Sequence, residues 1–541
     1  MSVRQHLRWT RSRATAAAIA CAVLPAMALA GCGGEGEQTA TDQQPQPEAQ
    51  SQDGESNPAE NGKKILTIAS GNDIVSFDLH NHNNTSTEAV HINMFNYLVK
   101  KGRNQEVLPD LATSWKQLDA TTWEFKLREG VKFHNGDPFT AADVKYTLER
   151  VARDNTLLEY GNYKQIKEVK IIDDYTVHII TNGPQPVLLN RLSRLGSGMM
   201  PSKYILEKGF DEFLKHPVGT GPYKFKEWKR DDRLILEKFD DYFGEKPKWD
   251  EVVFRSIPED STRVSELLTG GVDLAVNIPP TDLERIQQNE GTYVVQSPTQ
   301  RVMQLTVRMT PGTPTADPKV REAIDLAIDK QAIVDNILAG GGTVTRTRVT
   351  PGNFGADPSL YGQSLYDPER AKQLLIEAGY PNGLELTLTS PSGRYLKDKE
   401  TAELIQAMLG EVGIKVNLEL MEWSKYNELY RGKKMKELFM ISYANSMFDA
   451  SLAFDRARSE IARGETDYNN PEVDKLLEEA ETNLNTQERE KQYQQVQQII
   501  ANERPFIYLF QMSANYGASK RIQFEPRLDE MLPVDEITLK Q

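Results

Sequence analysis

Histidine, carboxylate and arginine side chains offer this sequence its reactive chemistry, and their spacing decides how much of it can be used. His80 and His82 form an H-x-H pair, and His91 follows. Imidazole nitrogens spaced like this can bind a transition-metal ion. No carboxylate or cysteine spacing completes a recognisable ligand set, so the pair reads as part of a solvated loop and no metal is expected. The neighbouring carboxylates Asp173-Asp174, Asp231-Asp232 and Asp240-Asp241 have the composition of an acid–base pair. With 78 acidic residues in the chain, such neighbours arise by chance, and their charged, turn-like settings read as solvated faces. There is no H-E-x-x-H, no G-x-S-x-G, no phosphate-binding G-K-[ST] loop and no G-x-G-x-x-G after a strand. No catalytic residue and no cofactor is expected. Arg394, in Ser390-Pro391-Ser392-Gly393-Arg394-Tyr395, is the candidate for holding a ligand carboxylate, because a guanidinium pairs with one through two parallel hydrogen bonds. The competing reading is a surface arginine in the loop before a helix near Lys399.

The elements that must carry these residues centre on Trp123 to Arg150. Trp123, Phe125 and Leu127 alternate with Glu124, Lys126 and Arg128, the period of a half-buried strand. Gly130 interrupts it, Val131 and Phe133 resume the alternation, and Asn135-Gly136 favours a tight turn. Thr140 is an N-cap with Asp143 three residues on, opening a helix through Val144, Tyr146 and Leu148. Further strands are expected over Lys64 to Ser70, Tyr175 to Thr181 and Val302 to Met309. Asp317-Pro318, Asp367-Pro368 and Asn470-Pro471 each place an Asx cap before proline at a first helical position, and Gly379 is a suitable stop for the second of these helices. Asn83 to Thr87 precede an amphipathic helix through Val90, Met94 and Tyr97. His134, beside the turn, reads as a structural residue, and Gly219-Thr220-Gly221-Pro222 as a tight turn.

The order Leu127-Arg128-Glu129-Gly130-Val131-Lys132-Phe133-His134-Asn135-Gly136, followed by Ala142-Asp143-Val144-Lys145-Tyr146-Thr147, closely resembles the signature of the extracytoplasmic solute-binding proteins of peptide-type ABC importers, the dipeptide, oligopeptide and nickel-binding family. Gly219-Thr220-Gly221-Pro222-Tyr223-Lys224-Phe225, residues 320–330 and residues 507–517 resemble further family elements. The resemblance implies a periplasmic-binding-protein-like α/β fold of class II, large, with two main lobes closing about a hinge on a solute and an extra subdomain. It implies residues 63–98, 216–297 and 509–541 in lobe I, 99–215 in the extra subdomain (lobe II) and 298–508 in lobe III. In dipeptide binders of the family, a W-x-G-D-x-x-D-P-D-like segment supplies an Asp for the ligand's α-amine. The matching stretch here is Tyr443 to Ser451, with Tyr443 in place of Trp and Ser446 in place of that Asp. A hydroxyl cannot neutralise a buried ammonium, so the resemblance does not carry dipeptide specificity over to this chain. Asp449, the second acidic position, reads as a cap or turn former. The ligand-binding set drawn from the resemblance and from residue chemistry is Arg394, Tyr395, Tyr443, Asn445, Ser446, Asp449 and Asn72.

The amino-terminal region reads as a targeting segment. Arg4, Arg8, Arg11 and Arg13 precede an alanine-rich apolar run to Ala30, and Leu29-Ala30-Gly31-Cys32 resembles a lipoprotein lipobox. Residues 1–31 are expected to be a signal peptide, Cys32 the lipid attachment point and 32–62 a polar, flexible tether. The other cysteine, Cys21, lies within the segment to be removed, so no disulfide is expected. The formal net charge of −14 becomes more negative by four without those arginines, which disfavours nucleic acid. The function expected is therefore capture of a small solute, most readily a short peptide, by a monomer lipid-anchored at the outer face of the cell membrane, with delivery to ABC permease subunits. The alternatives are a binder of a metal chelate, an opine-like conjugate or an oligosaccharide, and, from another class, a surface lipoprotein hydrolase or adhesin.

Overall fold

The computed structural model describes residues 62–540; the segments expected to be a signal peptide (1–31) and a tether (32–62), with Cys32, lie outside the described residues except for Gly62. Two long antiparallel strands, Thr292–Val307 and Phe506–Ser519, form the spine. On one side the sheet continues through Leu274–Val276, Ile65–Ser70, Glu251–Ser256, Arg233–Lys238 and Tyr223–Lys229. On the other side it continues through Leu438–Tyr443, Leu384–Pro391 and Ile414–Met421, giving eleven strands once Gly342–Val344 on Phe506–Ser519 is included. The two ends of the spine enter different cores. Tyr516 and Ala518 pack with Leu66, Ile68, Phe95, Tyr223 and Trp249, whereas Leu305, Val307, Ile507 and Leu509 pack with Ile324, Ile405 and Leu438. Between them the register slips at Pro298/Val302, so the ladder is interrupted where the strands pass from one core to the other.

A separate four-stranded antiparallel sheet, in the order Ala112–Gln117, Thr122–Leu127, Thr176–Thr181, Ile166–Asp173, carries a third core. Its apolar face closes over the helix Ala141–Arg153, whose Val144, Leu148 and Val151 meet Phe125, Val177 and Ile179. Both halves of the expected capping box form: Thr140 Oγ accepts from Ala142 N–H at 3.3 Å, and Asp143 Oδ2 accepts from Thr140 N–H at 2.8 Å. All three Asx-Pro starts cap helices, Pro318–Ala327, Pro368–Glu377 and Pro471–Thr482. Gly379, at φ +92°, ends the second as expected.

Several expectations require correction. Val131 and Phe133 are buried in the third core but do not extend a strand; their segment pairs through the isolated Lys132–Pro138 bridge, because the Gly136 turn brings the backbone back at once. The amphipathic helix stops early, at Thr85–His91, with Met94 and Tyr97 buried beyond its end. The spine strand starts near Thr292, ten residues ahead of Val302, because its partner strand is long enough to pair with all of it. Gly219 and Gly221 serve close approach rather than a turn: an added Cβ would lie 2.0 Å from Met94 O and 2.6 Å from Asn93 O. His134 clasps this crossing, accepting from Gly219 N–H at 3.1 Å through Nδ1 and donating to Gly221 O at 3.0 Å through Nε2. Burial pushes it down to about 4, so it is a neutral structural clip.

Candidate functional site

The segment from Tyr443 to Asp449 leaves the strand Leu438–Tyr443 and enters the short helix Ala450–Ala453. The helix Trp423–Arg431 stands beside it with Trp423, Tyr426 and Tyr430 on one face, because spacings of three and four bring side chains together. Trp423 stacks on Tyr426 (5.5 Å, 17°), Tyr426 on Tyr430 (6.5 Å, 23°), and the Tyr430 and Tyr443 hydroxyls meet at 2.5 Å. Tyr395 joins the same array, edge-on to Trp423 at 6.2 Å, with its hydroxyl donating to Ser442 O at 3.2 Å. The aromatic row thus brings Tyr395 and Tyr443 into one site.

Cations cover this row. The Arg394 guanidinium lies 4.8 Å from the Trp423 ring and 5.6 Å from Tyr395 on an exposed loop whose N–H groups at Gly393, Arg394 and Tyr395 all donate to the buried Asp398 carboxylate. Arg348 and Arg456 stand 4.7 and 5.2 Å from the Tyr443 ring. Burial raises the Tyr443 hydroxyl to about 12, so it stays protonated. Arg456 pairs with Glu465 at 2.6 Å, whereas buried Arg348 donates only to backbone oxygens of Ala444, Leu452 and Ala453 and forms no ion pair among the described residues.

Beyond Tyr443 the segment meets the third core's periphery. Arg194 Nε donates to Ser446 Oγ at 3.0 Å, and Asn190 Nδ2 donates to Met447 O at 2.6 Å. Arg194 also holds Glu159 at 2.7 Å, both nearly water-free, and Lys101 lies 5.8 Å from the Phe448 ring. Arg191, buried beside them, donates to the Asn162 carbonyl and likewise forms no ion pair among the described residues. The guanidiniums at the junction, Arg191, Arg194, Arg348 and Arg456, outnumber the carboxylates near them, Glu159, Glu465 and Asp455, the last of which faces Arg458, Arg348 and Arg191 without a salt bridge among the described residues.

The remaining expected residues divide. Asn445 is fully buried, donating to Asn353 Oδ1 at 3.0 Å and Asp449 O at 3.1 Å, with its own Oδ1 unpaired. Asp449 caps the helix through Ser451 N–H and takes both arms of Arg489 at 2.8 and 2.6 Å, which fits the cap reading and leaves its carboxylate fully engaged within the chain. Asn72 is exposed in the loop after Ile65–Ser70, with its backbone tied to Ser70. Sequence reasoning missed Arg194, Arg348, Arg456, Trp423 and Tyr430. Of these, only the W-x-x-Y-x-x-x-Y spacing carried a readable signal. The solvated-loop reading of His80 and His82 is wrong: both are buried, as is His91, whose ring lies against Phe77 and Phe95.

A spine of two long strands shared by separate cores, with a polar and aromatic junction between them, is the architecture of an extracytoplasmic solute-binding protein. The chain belongs to the bacterial extracellular solute-binding proteins, family 5, whose model matches residues 106–501. It is 32% identical over 465 residues to the glutathione-binding protein GsiB of Salmonella paratyphi A, covering 82% of this chain and 88% of that one. The structure resembles that of the ABC transporter-associated periplasmic binding protein DppA of Helicobacter pylori in complex with the peptide STSA, at TM-score 0.77 and 26% identity over 88% of this chain and 99% of that one. It also resembles AgaA of A. tumefaciens R10 in complex with agropinic acid, at TM-score 0.75 and 26% identity over 88% and 99% of the two chains. The chain is thus a solute-binding component of ABC import that works outside the cytoplasm, not an enzyme. No helix among the described residues is long and apolar enough to cross a membrane.

Proposed function

We propose that this protein captures a short peptide carrying more carboxylates than amines and passes it to its permease by closing lobe III, residues 298–508, onto lobes I and II. The observation that carries the reading is a pair of buried guanidiniums with no salt bridge among the described residues: Arg348 donates to Ala444 O, and Arg191 is next in the chain to Asn190, which donates to Met447 O, so that Ser446 lies between those two contacts, at the position where dipeptide binders of the family carry an Asp for the ligand's amine. Buried positive charge in excess of the nearby carboxylates, Asp455 included, favours an anionic ligand. Glutathione, the solute named for the GsiB relative, has two carboxylates and one ammonium and fits this balance.

In this reading Arg394 takes a terminal carboxylate at the rim. Tyr395 and Tyr443 supply apolar faces, Ser446 and Asn445 hydrogen-bond the peptide backbone, Asn72 approaches from lobe I, and Asp449 holds the segment in shape. The hinge is the interrupted ladder at Pro298/Val302. Binding energy shifts the open form toward the closed one. Residues 1–31 act as a signal peptide, Cys32 carries the lipid, 32–62 tether the domain at the outer face of the cell membrane, and the protein works as a monomer. Opine-like conjugates are the second reading, favoured by the same positive junction and by the AgaA likeness.

Calorimetry tests the proposal by titrating the protein with glutathione and with an uncharged-side-chain dipeptide such as Ala-Ala. Glutathione should bind at one per chain and Ala-Ala at least about 100-fold more weakly, about 2.7 kcal/mol. Equal affinities, or preference for the dipeptide, would reject the anionic reading.

A further inference from the structure

The loop and helix that follow the first strand bring together three side chains that the solute site does not use. His82 comes from the loop, and Glu88 and His91 from the helix Thr85–His91, where their spacing of three puts them on one face. One ligand atom from each lies within 4.8 Å of the others, and all three residues are buried. The His82 and His91 rings meet edge-on at 5.1 Å, and His91 stacks on Phe77 at 5.7 Å, which fixes its plane.

Their hydrogen bonding is incomplete. Among the described residues, His82 Nε2 and both ring nitrogens of His91 lack a hydrogen bond of good geometry, the Ser76 backbone making only a weak contact with His91, and His82 Nδ1 accepts only a long 3.4 Å bond from Asn84 N–H. A buried polar group left without a partner keeps its full desolvation cost, so three poorly satisfied imidazole nitrogens in one place are an expensive arrangement for a residue set that merely packs. A Glu-x-x-His pair on one helix face joined by a further His is a ligand set for a borderline divalent ion.

We propose that His82, Glu88 and His91 form a buried site for a divalent transition-metal ion of the zinc class, separate from the peptide site. Two imidazoles and one carboxylate with an open fourth position suit tetrahedral Zn2+. Bonds of about 2.1 Å need the donor atoms about 3.4 Å apart, so the three side chains would draw together from their present separation on binding. Binding through His82 Nε2 moves that ring's proton to Nδ1 and gives up the long bond from Asn84. Metal binding needs neutral imidazoles and an ionised carboxylate, so the ion would displace any proton that the buried Glu88 carboxyl carries. The nearby Arg194 charge is met by Glu159 at 2.7 Å, which lowers its repulsion of the ion. The bound ion would stitch the His80–Asn84 loop to the helix behind it.

The test is titration of ZnCl2 into the full chain after chelator treatment, in competition with a colorimetric zinc chelator and without any peptide, so that its outcome is independent of the solute reading. The site predicts one Zn2+ per chain. His82→Asn, Glu88→Gln and His91→Gln should each weaken binding roughly tenfold or more. His216→Gln, at an exposed histidine beside Glu212, should change nothing. Absence of stoichiometric binding by the unmodified chain, or undiminished binding by all three variants, would overturn the site. Should the variants unfold, anomalous diffraction from crystals of the unmodified protein grown with ZnCl2 decides: a peak between the three residues supports the site, and a peak only elsewhere, or none, overturns it.

Discussion

Arg194 reaches across the junction to Ser446, its Nε 3.0 Å from the hydroxyl oxygen, while its Nη1 holds Glu159 at 2.7 Å. One guanidinium therefore serves both a buried ion pair inside one core's periphery and a hydrogen bond to the segment opposite. The two contacts differ in strength. Arg194→Ala leaves Glu159 buried and unpaired and should cost about 3–5 kcal/mol in urea unfolding. Ser446→Ala removes one hydrogen bond from a half-exposed hydroxyl and should cost about 1 kcal/mol. Similar losses for the two would contradict this division.

Asp449 tests whether an acidic residue of the site segment binds solute or builds the segment. Its carboxylate accepts both arms of Arg489 and caps Ala450–Ala453. Asp449→Asn keeps the cap acceptor but breaks the charge pair, and should lower stability by about 3–5 kcal/mol. A variant of unchanged stability that has lost peptide binding would make Asp449 a ligand contact instead.

Arg394 presents the opposite case. It is exposed and stacked on Trp423, with no ion pair among the described residues. Arg394→Ala should leave the melting curve within about 0.5 kcal/mol of the original. Calorimetry should show roughly tenfold weaker binding of an anionic-ended peptide, about 1.4 kcal/mol. Unchanged affinity would remove Arg394 from the site.

Acid should act through Asp325. Burial opposes its ionisation, but the Lys330 ammonium at 2.7 Å and Arg504 at 3.0 Å outweigh that and hold the carboxyl below its usual range. A depressed folded-state pKa stabilises the protein above the unfolded carboxyl's value of about 3.9 and is lost as pH falls through the lower, folded value. The urea midpoint should therefore drop steeply below about pH 4. Asp325→Asn should be less stable at pH 7 and show a shallower acid decline; an identical decline would assign the acid sensitivity elsewhere.

Local structure was legible wherever one residue type has one physical use. The Thr140–Asp143 box, the three Asx-Pro caps and the Gly379 stop all depend on neighbours within four residues, and all form as read. The aromatic-strand and L-R-x-G-V-K-F-H-N-G order carried the family. What was not legible depended on distant partners. His80 and His82 sit in a polar stretch yet are buried, His82 against the ring of His91, which Phe77 and Phe95 flank; Glu88, which completes the set with His82 and His91, follows at a spacing that spells no motif until the helix turns it toward His91. Arg348 and Arg456 lie more than a hundred residues apart and meet only because the strand ending at Tyr443 presents its ring between their loops.

The central claim is capture of a short, net anionic peptide. Mass spectrometry of whatever is released by mild denaturation from the protein purified from its own host tests it most directly. The account predicts short peptides with more carboxylates than amines, present at close to one per chain. A single non-peptide solute at that stoichiometry, or peptides rich in lysine and arginine, would contradict it.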